Sequence, residues 1–298
     1  MRLAVLGSPR SWYLNDLKRA AAGAHELVPL TFRDLSSTLS SRFGEAATAV
    51  VASAQAALAD FDAVLVRTMP PGSLEQVVFR MDALARVEAA GTLVVNPARA
   101  VEAAVDKFLA SARLAEAGLA IPRTVVCQTA EAAMAGFAEL GGDVVLKPLF
   151  GSEGRGIARL TDEALALRTF KLLEQLGAVL YLQEFVAHEG FDLRLLVIGQ
   201  RVLGVRRRNL LDWRTNVSRG AKAEPLELSA ELVEMAHRAA AAVGAPLAGV
   251  DLLPGRDGTL YAIEVNAVPG WQALSRALDV DVGRLVLEYL AGALEGRE

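Results

Sequence analysis

A single cysteine, Cys127, among 298 residues rules out an internal disulfide, and the three histidines, His25, His188 and His237, have no metal-ligand spacing. With no partner thiol or nearby histidine, Cys127 reads as a small core residue rather than a nucleophile. The histidines are assigned to structure or surface. Basic charge is not in excess: 31 Lys and Arg against 35 Asp and Glu leave a net charge of -4, which excludes a global field for nucleic acid or an anionic membrane. Any anion site must be local. No apolar run approaches the roughly 18 residues of a membrane span, and "MRLAVLGSPR" holds too short an apolar stretch for a signal peptide, so a cytoplasmic location is expected. There is no internal repeat and no low-complexity tail. What is abundant is hydrophobic: 53% of residues, with 22% charged and 11 prolines, describe an ordinary globular chain long enough for two or three domains.

Along the first third, short apolar runs alternate with amphipathic stretches. Leu3 to Leu6, a helix over about Trp12 to Ala22, and Glu26 to Leu30 make one βαβ unit. "FDAVLVRTMPPGS" ends a strand, Ala63 to Arg67, in a Pro/Gly loop, and Leu74, Val77, Val78, Met81 and Leu84 recur at helical spacing. Residues 45 to 58 fit helix or strand equally and are left open. After a strand at Leu93 to Val95, Asn96 and Pro97 suggest an N-cap and first helical residue, which places a domain boundary at 96. A helix ending near Gly118, a strand around Thr124 to Val126 and a helix capped by Thr129 follow. Thr161 is the expected cap of a helix running to about Leu176. The remainder reads as strand-rich: Val179 to Glu184, Leu193 to Ile198, Val202 to Arg208, Val250 to Leu253 and Tyr261 to Val265.

Two stretches carry chemistry. In "VVLKPLFGSEGRGIARL", residues 144 to 160, a strand with Lys147 in it runs into a glycine loop and resumes as a second apolar run. The loop lacks the Gly-Lys-Ser/Thr ending of a P-loop and opens no helix. Strand, glycine loop, strand is a flap whose backbone N–H groups can approach a polyphosphate, with Ser152 adding a hydroxyl. A lysine among Val144, Val145 and Leu146 needs an anionic partner, because an isolated buried charge is costly. The plain alternative is a glycine turn beside a snorkelling lysine.

The second stretch is "AGVDLLPGRDGTLYAIEVNAVPG", residues 248 to 270. Asp257-Gly258 is a two-residue hairpin signal, and a turn there pairs residues whose numbers sum to 515. Asp251 then faces Glu264, and Asn266 joins them by the period of two, while Val250, Leu252, Ile263 and Val265 form an apolar opposite face. Directly opposed like charges destabilise a hairpin unless neutralised. A basic side chain would serve, and so would a hard divalent cation, for which an Asp/Glu/Asn oxygen set is suited. A solvated charged face is the alternative.

Together, "VVLKPLFGSEGRG", "LQEFVAHEGFDLRLLVIG", "RRNLLDWRTNVSRG" and "AGVDLL...IEVNAVPG" resemble the ordered signatures of the ATP-grasp superfamily. Within it they most resemble the RimK-like carboxylate-amine ligases, over roughly residues 97 to 290. The resemblance implies an α/β (α+β) fold: a Rossmann-like pre-ATP-grasp domain (1–96), then a two-subdomain ATP-grasp fold, a central lid subdomain (97–184) and a C-terminal subdomain (185–298). It implies ATP and Mg2+ or Mn2+ as cofactors. Lys107 and Lys147 would contact the nucleotide phosphates beneath a flap containing Gly151, Ser152, Gly154 and Gly156, and closure implies that residues 151 to 156 move. "QEFV" (Gln183, Glu184, Phe185, Val186) would read the adenine edge, with Asp192 and Asn216 completing the nucleotide site. Asp251, Glu264 and Asn266 match the metal set. Arg194, Arg207, Arg208 and Arg219 would act in catalysis. Arg67, Arg214 and Gly270 would bind substrate. Independently of the resemblance, "RTMPPGS", residues 67 to 73, follows a strand C-terminus at the expected domain interface, where ligands of α/β sheets sit, and is the candidate acceptor loop. On a strand, Arg206 and Arg208 share one face and Arg207 takes the other.

The implied reaction activates a carboxylate as an acyl phosphate and then forms an amide with an amino acid such as L-glutamate. A phosphotransferase acting on a hydroxyl and a non-catalytic ATP-binding module are the alternatives. Family acceptors include a ribosomal protein tail, pterin or deazaflavin coenzymes, and carrier-protein intermediates of lysine synthesis; a tetrahydromethanopterin-type acceptor is the specific expectation. Partners are then a small-molecule or protein-tail carboxylate and an amino acid, without nucleic acid or membrane, in a homo-oligomer, dimer or tetramer.

Overall fold

The computed structural model describes residues 1–41, 48–54, 56–151, 154–217 and 220–296. In chain order the first region contains β1 (Arg2–Leu6), α1 (Trp12–Ala21), β2 (Glu26–Leu30), β3 (Leu35–Ser40), β4 (Thr48–Ser53), β5 (Ala56–Ala57), β6 (Ala63–Val66), α2 (Leu74–Ala89) and β7 (Leu93–Val95). Strands β2-β1-β6-β7 form a parallel sheet, and β3, β4 and β5 a separate antiparallel one. The undecided stretch at 45 to 58 therefore contains strand, and Leu35–Ser40 is a strand that its serines and threonine did not announce. Helix α2 opens with a capping box, in which Ser73 and Gln76 bond each other's backbone N–H.

Asn96 does not cap a helix. Its side chain donates to the carbonyls of Leu247 and Ala267 and accepts from the Leu247 N–H at 3.0 Å, joining the first sheet to a strand 151 residues away. Pro97 takes the N-cap position instead. The helix expected to end near Gly118 is two helices, α3 (Ala98–Val105) and α4 (Lys107–Glu116), because the Asp106 side chain accepts from the N–H groups of Phe108 and Leu109 and starts a new helix. Lys107 is thereby the first residue of α4.

The next region holds β8 (Thr124–Cys127), α5 (Ala130–Glu139), β9 (Val144–Lys147), β10 (Ala158–Leu160), α6 (Glu163–Gln175) and β11 (Leu180–Glu184), with an antiparallel sheet in the order β10-β9-β11-β8. Thr129 caps α5 as expected, whereas Asp162, not Thr161, caps α6. This sheet packs on its own small core, which includes Phe137 and Phe170 edge-on at 6.5 Å.

The last region contains β12 (Phe191–Ile198), β13 (Arg201–Arg208), β14 (Lys222–Pro225), α7 (Ala230–Val243), β15 (Leu247–Pro254), β16 (Leu260–Asn266), α8 (Gln272–Leu278) and α9 (Val282–Glu295). Its antiparallel sheet runs β14-β13-β12-β15-β16. The three helices were not anticipated. Alanine-rich α7 is capped by Ser229 and stopped by Gly244 in the left-handed region, φ 72°, and it lies on β12 and β15. Helix α9 packs against α1, so two hydrophobic clusters mix residues of the first and last regions: Leu3, Leu14 and Leu65 with Trp271, Val286 and Leu290 in one, Leu6 and Leu84 with Leu195 and Val250 in the other. Those two regions share a core; the middle sheet does not. No helix among the described residues is long and apolar enough to cross a membrane.

The hairpin joining β15 and β16 differs from expectation in two ways that cancel. Gly255 N–H donates to Thr259 O and Gly258 N–H to Gly255 O, with Gly258 at φ 84°, so the loop has three residues rather than two. Leu252 accordingly pairs with Ala262, one out of the expected register. A β-bulge then lies between Asp251 and Leu252 on one side and Ile263 on the other, and it restores Asp251 opposite Glu264 and Gly249 opposite Asn266. Ile263 is not on the apolar face: Ala262 and Val265 go to the core, while Ile263 turns with Glu264 toward the cleft.

Candidate active site

Register assembles the polar center. Strand β12 places Asp192 opposite Arg207 of β13 and Arg194 opposite Asp251 of β15. Arg207 donates from Nε and Nη2 to both oxygens of Asp192 and also from Nη2 to Asp251 Oδ2 at 2.8 Å. Arg194 Nη1 donates to the other Asp251 oxygen at 2.6 Å, and Thr215 Oγ1 donates to Asp192. Gly249 leaves the space that the Arg194 guanidinium occupies, which a Cβ there would force to shift. Burial would push Asp251 up, but Arg194 and Arg207 override it and hold its carboxyl below the usual range. Burial pushes Asp192 up despite Arg207, and Arg207 itself, for which burial works the other way, is raised by Asp251 and Asp192.

Glu264 accepts no hydrogen bond among the described residues. Burial and the Asp251 charge raise its pKa, while Lys107, Arg194 and Lys147 pull it down. A desolvated, unpartnered carboxylate directly across from a second one is the environment a divalent cation relieves. Asn266 borders the same cavity; its Oδ1 accepts from Val268 N–H at 2.8 Å and keeps a second lone pair. Two carboxylates and an amide are an all-oxygen donor set of the kind that would hold Mg2+. Among the described residues no cluster of three His, Cys, Asp or Glu side chains occurs, in keeping with a set of only two acids.

Two cavities meet at this center, sharing Arg207, Asn216, Asp251 and Glu264 as walls. The first, about 100 Å³, is bordered by Lys147, Gly154, Gln183, Glu184, Phe185, Val186 and Asp192, all expected for the nucleotide, and also by Arg214, expected instead with Arg67 and Gly270 for the substrate. Lys147 ends β9 and donates from Nζ to Gln183 Oε1 at 2.6 Å; burial lowers its pKa to about 8. Lys107 Nζ reaches the Gly151 carbonyl at 2.9 Å, and burial lowers its pKa too. Gly151 and Gly156 flank Pro148, and Gly154, at φ 68°, lies where a Cβ would meet Asn216 Oδ1 at 2.6 Å. The N–H groups of Glu184 and Phe185 are already donated, to Arg123 O and Asp143 O, and the Glu184 carboxylate bonds Arg123. Phe185 sits under Arg159, 3.4 Å from its ring centroid, and beside Trp213.

The second cavity, about 390 Å³, is bordered by Arg67, Arg194, Asn266 and Gly270. Arg214 is paired with its neighbor Asp212 at 2.6 Å. Arg208 is removed from the set: it lies on the strand face opposite Arg207, where it and Arg206 stand over the Phe191 ring at 5.2 and 4.8 Å. Period-two alternation, already evident for residues 206 to 208, is the reason. Ser152 and Arg219 lie outside the described residues.

Some bordering residues had no sequence signal. Tyr13 borders the second cavity and meets the buried Trp271, 258 residues away, edge-on at 5.1 Å. His188, assigned to structure or surface, borders the first cavity, and burial together with Arg159 and Arg256 lowers its pKa. Thr215 stood inside "WRTNVSRG" without a role.

The RimK-like ATP-grasp domain matches residues 104–290. The chain belongs to the RimK-like ATP-grasp family. A tetrahydromethanopterin:alpha-L-glutamate ligase of Methanosarcina acetivorans is 34% identical, over 97% of this chain and 98% of that protein. A probable alpha-L-glutamate ligase of Haemophilus influenzae is 29% identical over 78% and 76%. Among solved structures, the ATP-grasp ligase PsnB complexed with a minimal precursor, Mg and ADP superposes with a TM-score of 0.75 at 24% identity, over 98% of this RimK-like chain and 97% of PsnB; that likeness speaks to the fold alone.

Proposed function

We propose that this protein is an ATP-dependent carboxylate-amine ligase that attaches L-glutamate to a carboxylate acceptor of the tetrahydromethanopterin type. The observation that carries the reading is the pair Asp251 and Glu264, set opposite one another between two cavities and flanked by Arg194 and Arg207. One cavity is for nucleotide and the other for the reacting acids. Similarity over nearly the full length to a tetrahydromethanopterin:alpha-L-glutamate ligase supports the choice of acceptor.

Lys147 and Lys107 hold the phosphates of ATP under the glycine loop, and the segment Gln183 to Val186 lines the base. Asp251, Glu264 and Asn266 would hold Mg2+ or Mn2+, which when bound neutralises phosphate charge during transfer. The acceptor carboxylate oxygen attacks the γ-phosphorus and ADP leaves; the glutamate amine then attacks the acyl carbon, phosphate leaves, and an amide remains. No protein nucleophile is needed. Arg194 and Arg207 orient the anionic groups beside the transferred phosphoryl. At about 100 Å³ the first cavity is narrower than the roughly 300 Å³ of small-ligand sites. Gly154 must therefore lift from Asn216 to admit the nucleotide, and its return shields the acyl phosphate from water.

The change from the parallel first sheet to the middle antiparallel sheet, and from that to the five-stranded last one, motivates domain boundaries near residues 96 and 184, and the enzyme works in the cytoplasm as a dimer or tetramer. The test is product analysis: ATP is consumed only with both acids present, and mass spectrometry finds acceptor plus one or more glutamyl residues. Phosphorylated acceptor without an amide would overturn the reading.

A further inference from the structure

Arg67 follows β6 at its C-terminal end, borders the second cavity and is only 5% exposed. Its Nη2 donates to Pro269 O at 2.7 Å, while Nε and Nη1 find no acceptor. Every other charged side chain bordering that cavity belongs to the Asp192, Asp251, Arg194 and Arg207 network or is Glu264, the carboxylate across from Asp251. Of the three arginines there, Arg67 alone forms no ion pair among the described residues. Its guanidinium lies over Trp271 at 4.1 Å and Tyr13 at 4.8 Å. Ring stacking offsets only part of the cost of burying a guanidinium without a counter-ion, and burial has drawn its pKa down to about 10. Stacking also leaves hydrogen-bonding edges free while fixing their plane. Gly270 leaves room for the Tyr13 hydroxyl, since a Cβ there would lie 2.5 Å from it.

Arg67 does not border the first cavity, where Lys147 awaits phosphate, so a nucleotide does not explain it. A molecule filling the second cavity presents its reacting group at the wall of Asp251 and Glu264 and a different part of itself to Arg67. We propose, resting on the ligase reading above, that Arg67 binds the spectator carboxylate of a substrate, the one that takes no part in bond formation, and so selects dicarboxylic substrates. The carboxylate belongs either to the incoming glutamate or to the acceptor.

Titration calorimetry on the MgADP-loaded protein separates these sources, with L-glutamate, its α-amide and its γ-amide as amino-acid probes and glutarate against butyrate as acceptor probes. Wild type is expected to bind one dicarboxylic probe at least tenfold more tightly than its amide or monocarboxylic analogue. Arg67→Gln erases that preference, Arg67→Lys keeps part of it, and both bind MgADP as wild type does. Loss confined to glutamate assigns the carboxylate to the amino acid, and loss confined to glutarate assigns it to the acceptor. Failure of wild type to bind MgADP would overturn the ligase reading itself. Normal MgADP binding with no preference in wild type, or with the preference intact in Arg67→Gln, would overturn the role of Arg67 alone. Should Arg67→Gln not fold, Arg67→Lys and the wild-type analogue series decide the question: full wild-type preference in Arg67→Lys, or no preference in wild type, sinks it.

Discussion

Lys147 is an ammonium at the end of an apolar strand whose hydrogen-bond partner, Gln183, is neutral. Its pKa, about 8 instead of 10.5, means that the folded protein binds fewer protons than the unfolded chain between those values, so stability rises with pH across that window. Below pH 8 the cost of charging it is present in full, on the order of 3 kcal/mol. Lys147→Met should therefore be more stable than wild type at pH 7, with the gap closing by pH 10.5, as urea unfolding at several pH values will record, and it should turn over no ATP. The amine is kept charged for a ligand at the expense of the fold. Gly154 makes the same kind of point sterically. Gly154→Ala adds a methyl against Asn216 at a left-handed φ, and its KM for ATP should rise roughly tenfold or more, from strain and lost closure of about 1 to 3 kcal/mol.

The β15-β16 hairpin shows what an element adds to its residues. A three-residue loop displaces the pairing by one and the bulge at Ile263 returns it, so the two acids face each other and Ile263 gains a place on the wall of the first cavity, the proposed nucleotide site. Ile263→Ala should weaken ATP binding roughly tenfold, about 1.5 kcal/mol of lost apolar contact, without changing product formation at saturation. Glu264→Gln should cut turnover by roughly a hundredfold or more with the fold intact, because it removes a carboxylate charge from the proposed metal set. Steady-state kinetics at varied ATP separates the two. The carboxylate pair was legible in the sequence because it depends on chain within about 15 residues of one turn, where alternation and a Gly-containing loop act together. The bulge was not, since nothing in "YAIEVN" marks an extra residue. Arg207 and Arg208 were separable by parity, yet both were placed in the site on motif position alone. Helices α7 to α9 were overlooked for a different reason: their role is to cover sheets that come from remote parts of the chain, and Trp271 or Asn96 acquires meaning only against a partner more than 150 residues away.

At the scale of the molecule, the first and last regions share a core while the middle sheet keeps its own, which makes the middle sheet with its glycine loop the part that can move as a unit. Nucleotide bound between them ties it down. At MgATP about a hundred times its Kd, linkage predicts about 2.7 kcal/mol of added stability, a rise in Tm of several degrees, lost with a chelator and in Glu264→Gln. Scanning fluorimetry will measure it. The ion pairs around Asp251 set an order on this assembly. Both of its oxygens are engaged by guanidinium groups, from Arg194 and Arg207, so a bare cation approaching the empty protein meets two positive charges already in possession. On the proposed function, magnesium would enter together with the anionic nucleotide, and calorimetry with magnesium chloride alone should register little heat where the nucleotide complex registers much.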